Sequence, residues 1–390
     1  MLSTHQIKNK KLFFIGNALI AAFYAVYGYL CAMLFYRQSV VYNGDYHSDL
    51  VAHITMGING QEYSLMEYIL GFIAKRIGNY KVIGIYLSVL VLLTIFITWR
   101  LMRKLAPDVD PVLLHVGAIL SNLAMAIYIP ALNPYRYLGV QSGNIYHNST
   151  YIGMKLAGTM VLFLYFKYDK KYEKGLTFEE WILFAESIIL VNLMKPNFFV
   201  AFAPLMGLWL LYDLIKKKGK TFPKIFMFGL AVIPSVLILL LTYIRLFPGD
   251  SSTGSIVIDP GFALGLRTNH PLAAVIQTMA LPFFVLSFHI RDLKKEKTFA
   301  FSWSMLLISF SEYFLLAETG ARRNDGNLSW GYCYGIFLVF VVSITKLWQD
   351  WHCKKKYPKW YFAVALLLLA AHVFFGLQYF AGILQGGSIS

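Results

Sequence analysis

Cysteine is scarce: Cys31, Cys333 and Cys353 are an odd number with no paired spacing, which excludes a disulfide framework and gives no sign of a zinc site. Charge is scarce too. Only 14% of the 390 residues are charged and 58% are hydrophobic, with a mean hydropathy of +0.57, which excludes an ordinary soluble domain. Acidic residues are the rarer sign, 20 against 35 Lys and Arg. There is no repeat of about 20–50 residues, no low-complexity tract and no polar stretch at either end long enough for a soluble domain. Such a chain is a polytopic membrane protein.

What the sequence does have is long apolar runs. A bilayer core needs about 20 apolar residues per helix, and eleven stretches qualify or nearly do. They fall near 12–35, 81–102, 111–131, 150–167, 178–194, 197–215, 223–246, 271–290, 298–317, 330–347 and 360–383. The first is preceded by Lys8, Lys10 and Lys11 and has no clear cleavage site, so it reads as a retained span that also serves as the insertion signal. The fifth and sixth are separated only by Lys195-Pro196-Asn197, which predicts a tight hairpin. The expected fold is therefore all-α, a single domain of about eleven transmembrane helices over 1–390.

The cations fix the orientation, because cytoplasmic loops collect Lys and Arg. With the N-terminus cytoplasmic, every second loop is basic and holds 24 of the 35 cations, among them Arg100, Arg103, Lys104, Lys170, Lys174, Lys216, Lys294 and Lys354 to Lys356. The C-terminus is then extracytoplasmic. The net charge of +15 becomes a matter of topology, with lysines facing anionic inner-leaflet lipid, and nucleic acid is not an expected partner.

The opposite loops are longer, poor in lysine and rich in unusual polar residues, so chemistry is expected there. The first contains Asn43-Gly44-Asp45-Tyr46-His47-Ser48-Asp49-Leu50-Val51-Ala52-His53. At 100° per residue Leu50, Val51, Ile54 and Ile58 make an apolar stripe, and Asp45, Asp49 and His53 share the opposite side of a helix lying on the membrane. A carboxylate and an imidazole four positions apart suit proton transfer or metal holding. A second interfacial helix is expected over 63–76, after a turn near Asn59-Gly60 and before a stop at Gly78-Asn79, so that 43–78 forms a paired-helix segment.

Further candidates lie in later loops on the same side. Arg136, His147 and Asn148 precede the fourth span, where Ser149 or Thr150 would cap the helix; Lys155 sits one turn in, reaching either the interface or an anion. Lys195 places a cation between two helices at that face. Glu318, Arg322 and Arg323 lie in a glycine-bearing loop before Trp330. The arginine forks suit phosphate, and they equally suit salt bridges to Glu318 or Asp325.

Three of these features together resemble the GT-C superfamily of membrane glycosyltransferases, which use polyprenyl-phosphate-linked sugars. They are an N-in bundle with paired interfacial helices straight after the first span, the acidic motif Gly44-Asp45 and Asp49-Leu50-Val51-Ala52-His53 where that family has its catalytic aspartate, and a Lys-Pro-Asn turn with an arginine-bearing late loop. The stretches 146–150 and 318–330 also look like those of bacterial membrane proteins associated with surface polysaccharides. The chain departs from several branches in lacking an Asp-Glu pair and an outer soluble domain.

The resemblance implies inverting sugar transfer from a polyprenyl-phosphate donor to a cell-envelope glycan or lipid, outside the cell membrane. Asp49, or failing that Asp45, would be the base. His53 would orient it, bind phosphate or help hold a metal; His47, Arg136, His147, Asn148, Lys155, Lys195, Glu318, Arg322 and Arg323 would bind substrate. Metal dependence varies within the family, which leaves a Mg or Mn ion open as a cofactor. The rival is a transporter or flippase of a lipid-linked saccharide working through the intramembrane carboxylates Glu186 and Glu312. A polymerase or ligase ranks below both, because its largest outside loop is expected late and here the first is longest.

Overall fold

A computed structural model describes residues 4–40, 45–169, 171, 175–246, 254–353 and 357–387. Asn43, Gly44, Lys170, Lys174 and Lys354 to Lys356 lie outside the described residues, as do the side chains of Lys8, Lys10, Lys11 and Lys224.

The helices run in chain order as α1 (Thr4–Val40), α2 (Leu50–Asn59), α3 (Leu65–Phe72), α4 (Tyr80–Leu105), α5 (Pro111–Leu123), α6 (Tyr137–Val140), α7 (Ser149–Tyr168), α8 (Phe178–Met194), α9 (Asn197–Lys216), α10 (Phe222–Leu246), α11 (Phe262–Gly265), α12 (Pro271–His289), α13 (Lys297–Leu315), α14 (Ser329–His352) and α15 (Lys359–Leu384). Among the described residues eight are long and apolar enough to cross a membrane, those built on α1, α4, α7, α9, α10, α12, α14 and α15. The chain is a multi-pass helical membrane protein. The other three expected spans, at α5, α8 and α13, are helical but fall outside that eight.

The bundle is organised around α14, whose membrane-length window is wholly buried, while the same window of α10 is only 17% buried. A helix apolar on every side is stable only when surrounded. Gly331 and Gly335 let α13 come close: a Cβ on Gly335 would stand 2.8 Å from Ser309 Oγ and 3.0 Å from Leu306 Cα. This is the small-residue spacing by which membrane helices pack.

Two expectations need correction. The third apolar segment does not stay helical to 131; α5 ends at Leu123, and 124–136 runs as irregular backbone. Away from water such backbone needs protein partners, and it has them. His372, mid-way along α15, donates from Nδ1 to the Met125 carbonyl at 2.6 Å and returns its own carbonyl to the Met125 N–H at 3.0 Å. Its Nε2 accepts the Leu281 N–H at 3.3 Å, and the Gln277 carbonyl of α12 takes the Ile127 N–H at 2.9 Å. Pro282, inside α12, cannot donate to the helix ladder, which marks where the two helices share bonds with the break. The fold is all-α as expected, but a short two-stranded sheet among the described residues trims one of its helices. Strand β1 (Ile256–Ile258) pairs antiparallel with β2 (Leu316–Glu318), Ile256 opposite Glu318, so α13 stops short of the expected 317.

Hydrogen bonds define two ends. At one, the lysine-rich end, Gln349 reaches the Leu105 carbonyl, Lys297 meets Asp169 and Asp213, and Lys346 meets Asp292. At the other, the first-loop end, Asp49 N–H reaches the His147 carbonyl and Asn197 reaches the Asn327 carbonyl.

Candidate functional site

The first-loop end starts from α2 and α3. Gly60 closes α2 at φ 70°, a left-handed conformation that glycine adopts without strain, as expected from Asn59-Gly60. Ser64 and Glu67 form a capping box that starts α3, whose end widens into a π-turn over Ile73–Ile77 before Gly78. Gly57 and Gly71 sit backbone on backbone where the two helices cross, with no room for a Cβ on either. That contact fixes Asp49, at the mouth of α2, relative to Glu67.

The predicted shared face of Asp45, Asp49 and His53 is not formed. The helix begins only at Leu50; Asp49 is its N-cap residue, and Asp45 lies ahead of it. The Asp49 carboxylate does not cap its own helix because Asn148 Nδ2 donates to Oδ2 at 2.7 Å. His53 turns inward, donating from Nδ1 to Glu67 Oε1 at 2.7 Å. Asp49 and His53 are thus held by different partners.

Asn148, rather than Ser149 or Thr150, caps α7: its Oδ1 accepts the Tyr151 N–H and the Thr150 hydroxyl, both at 2.8 Å. The amide therefore faces two ways. Lys195, at the end of α8, donates to Thr150 Oγ1 at 3.0 Å and lies 4.8 Å from the Trp330 ring. A continuous chain results, from the Lys195 ammonium through Thr150 and Asn148 to the Asp49 carboxylate.

Electrostatics place the remaining groups. Burial pulls the Lys195 ammonium down to about 8, with Asp49 and Glu67 acting against that fall, Arg322 adding to it and Glu318 opposing. Burial likewise holds His147 down to about 4, so it is neutral; Asp49 opposes this while Lys195 and His53 reinforce it. Burial works against Glu67 ionising, yet the His53 hydrogen bond and charge and the N–H groups of Tyr63 and Ser64 outweigh it and keep the carboxyl below its ordinary range. The Tyr63 phenol is pushed up, by burial first and then Glu67, with Arg322 pulling back and Asp49 adding to the rise. Asp49 and Arg322, from opposite parts of the chain, act on the same two groups.

A cavity of about 160 Å³ opens on Asp49, lined also by Tyr137, Gln141, His147, Arg267 and Trp330. At about 30 Å³ per water that is room for several waters or a small ligand. Two nitrogens of its lining, His147 Nδ1 and Trp330 Nε1, are buried without a hydrogen-bond partner, as is the nearby His53 Nε2. Buried polar atoms are normally satisfied, so orphans beside a cavity mark a place where a polar ligand gains bonds.

The arginines divide. Arg322 is bound to Glu318 at 3.2 Å, and Arg323 to Asp259 at 2.8 Å while stacked 3.8 Å from the Phe262 ring. The cavity arginine is Arg267, which sequence reading passed over; it anchors on the Asn324 carbonyl at 2.8 Å. Its signal was available, an arginine in a lysine-poor loop. Glu67 was missed as well, though Ser64-Leu65-Met66-Glu67 carries the capping-box pattern.

Other candidates lie elsewhere. Asp45 packs near Gly386, His47 is exposed, and Arg136 covers the Tyr128 ring. Lys155 is buried deeper in α7 against Asn144 and the Phe337 ring, beside a separate cavity of about 20 Å³. Glu186 is exposed on α8 and Glu312 half-buried beside Gly331; neither lines the Asp49 cavity. Among the described residues no three His, Cys, Asp or Glu side chains group as a metal site.

No protein-family model matches the chain, and no curated protein matches it.

Proposed function

We propose that this chain is an integral-membrane glycosyltransferase of GT-C type, moving a sugar from a polyprenyl-phosphate donor to a cell-envelope glycan or lipid. In this reading α5, α8 and α13 cross together with the eight longer helices, which would keep the lysine-rich loops cytoplasmic and the Asp49 cavity outside, with α2 and α3 along the membrane surface.

In this reading the acceptor hydroxyl attacks the anomeric carbon while Asp49 takes its proton. The bond from that carbon to the phosphate oxygen breaks, and polyprenyl phosphate leaves with the electron pair, giving inversion. Arg267 and Lys195 stabilise the charge that grows on the departing phosphate. Asn148 aims the Asp49 carboxylate, and the Tyr137 and Trp330 rings offer flat faces to a sugar. The supporting observation is the shared cavity: a carboxylate from the first loop and a guanidinium from a much later one face the same small volume.

Neither intramembrane carboxylate lines that cavity, so the transporter reading draws no support from it. The test is Asp49→Asn in membranes supplied with polyprenyl-phosphate sugar. Insertion and thermal unfolding should be unchanged and transfer should fall by about 10²–10⁴-fold. Full activity in Asp49→Asn and in Asp45→Asn alike would remove the proposed base; movement of saccharide across the membrane with no new glycosidic bond would favour the transporter.

A further inference from the structure

A second and larger cleft, about 660 Å³, lies at the lysine-rich end between α9 and the start of α13. Its α9 wall is one stripe. Leu205, Leu208, Trp209, Tyr212, Asp213 and Lys216 follow the three-and-four spacing that keeps residues on one helix face. Over those three turns, about 16 Å, the stripe passes from leucine through tryptophan and tyrosine to lysine. That is the order of a phospholipid: acyl chain, interfacial glycerol, phosphate. Trp and Tyr favour the middle level because their rings are part apolar and part polar.

The opposite wall supplies Lys294, Lys295 and Lys297. Lys297 is committed to Asp169 at 2.6 Å and Asp213 at 3.0 Å, and this three-way contact ties the ends of α7, α9 and α13 into a fixed floor. Asp213, the acidic residue in the lining, faces that bridge. Lys216, Lys294 and Lys295 are exposed at the rim, with no ion pair to a described carboxylate. Leu208, at the apolar end, is 60% exposed, so the cleft is open along its membrane side.

We propose that this cleft binds the headgroup of an anionic bilayer phospholipid, its phosphate among Lys216, Lys294 and Lys295 and its first acyl carbons along Leu205 and Leu208. A free phosphate would use the lysines but have no need of the graded stripe. The inference requires only that the chain sits in a membrane and does not depend on the sugar-transfer reading.

Trp209 provides the readout. The full chain is reconstituted in phosphatidylcholine vesicles containing roughly a fifth of dibrominated phosphatidylglycerol or dibrominated phosphatidylcholine, and quenching is compared with that of Trp209→Phe to isolate the Trp209 signal. Brominated phosphatidylglycerol should quench that signal more steeply, and Lys216→Gln/Lys294→Gln/Lys295→Gln should abolish the preference while leaving quenching by brominated phosphatidylcholine. Each rim lysine is expected to contribute up to about fivefold in relative affinity. Lys217→Gln/Lys218→Gln/Lys220→Gln removes the same charge outside the cleft and should keep the preference. The proposal is overturned if the wild type shows no preference, if the rim variant retains it, if the control variant loses it equally, or if inorganic phosphate displaces the lipid.

Discussion

The two ends of the bundle treat buried polar groups differently. At the lysine-rich end most are tied into one network: His289 lies 2.7 Å from Asp292 and 2.8 Å from Asp350, Tyr361 donates to Asp350 at 2.8 Å, and Lys346 bridges Asp292 and Glu296, although Trp348 Nε1 is left without a partner. At the first-loop end His147, which is neutral, and Trp330 line a cavity, each with an orphan ring nitrogen, and a lysine with a depressed pKa lies against the Trp330 ring. Buried charges that are fully paired hold helices together, whereas polar groups left short of partners cost stability and persist where a ligand repays them. On the proposed reading, the contrast separates the part of the sequence that builds the bundle from the part that meets substrate.

The largest effect expected from breaking this contrast is on stability at the matched end. Asp350→Ala leaves His289 Nε2 and the Tyr361 hydroxyl without their acceptor, and breaking a buried pair costs about 3–5 kcal/mol. Thermal unfolding in detergent should show a large drop, with the transfer rate per folded molecule kept, because the Asp49 cavity is at the other end. An unfolding midpoint close to wild type would mean the network is not what joins α12, α14 and α15.

A mid-sized effect, with two readouts of opposite sign, is expected at Lys195. Its amine titrates near 8 in the fold against an ordinary value of 10.5. Between those values the unfolded chain binds more protons, so stability should rise with pH from about 8 to about 10.5. The proposed phosphate contact needs the charged form, so donor affinity should fall across the same window. Donor KM measured against pH should climb above about 8, and Lys195→Arg should move that limb upward. A KM flat to pH 10 would remove Lys195 from donor binding.

Legibility followed range along the chain. The apolar segments, the turn at Gly60 and the Lys-Pro-Asn hairpin between α8 and α9 were all readable, because each is written within a few neighbouring residues. The break after Leu123 was not: it is stable because His372, 247 positions from Met125, satisfies its backbone, and no local pattern announces that partner. The same reason hid β1 against β2 and the inward turn of His53. An i, i+4 spacing says which residues share a helix face, and it cannot say that Asn148 and Glu67 will claim Asp49 and His53 separately.

The smallest expected effect distinguishes arginines that look alike in sequence. Arg323 is paired with Asp259 at 2.8 Å, with both side chains more than a third exposed, so Arg323→Gln should cost under about 1 kcal/mol and leave donor KM unchanged. Arg267 faces the Asp49 cavity, and a hydrogen bond to a charged group contributes about 1.5–3 kcal/mol, so Arg267→Gln should raise donor KM by about tenfold or more. Measured side by side, the two variants decide which late-loop guanidinium meets the donor. If Arg323→Gln raised KM and Arg267→Gln did not, the phosphate would lie over β1 and α11 rather than beside Trp330, and Asp49 would be left facing a cavity without its cation.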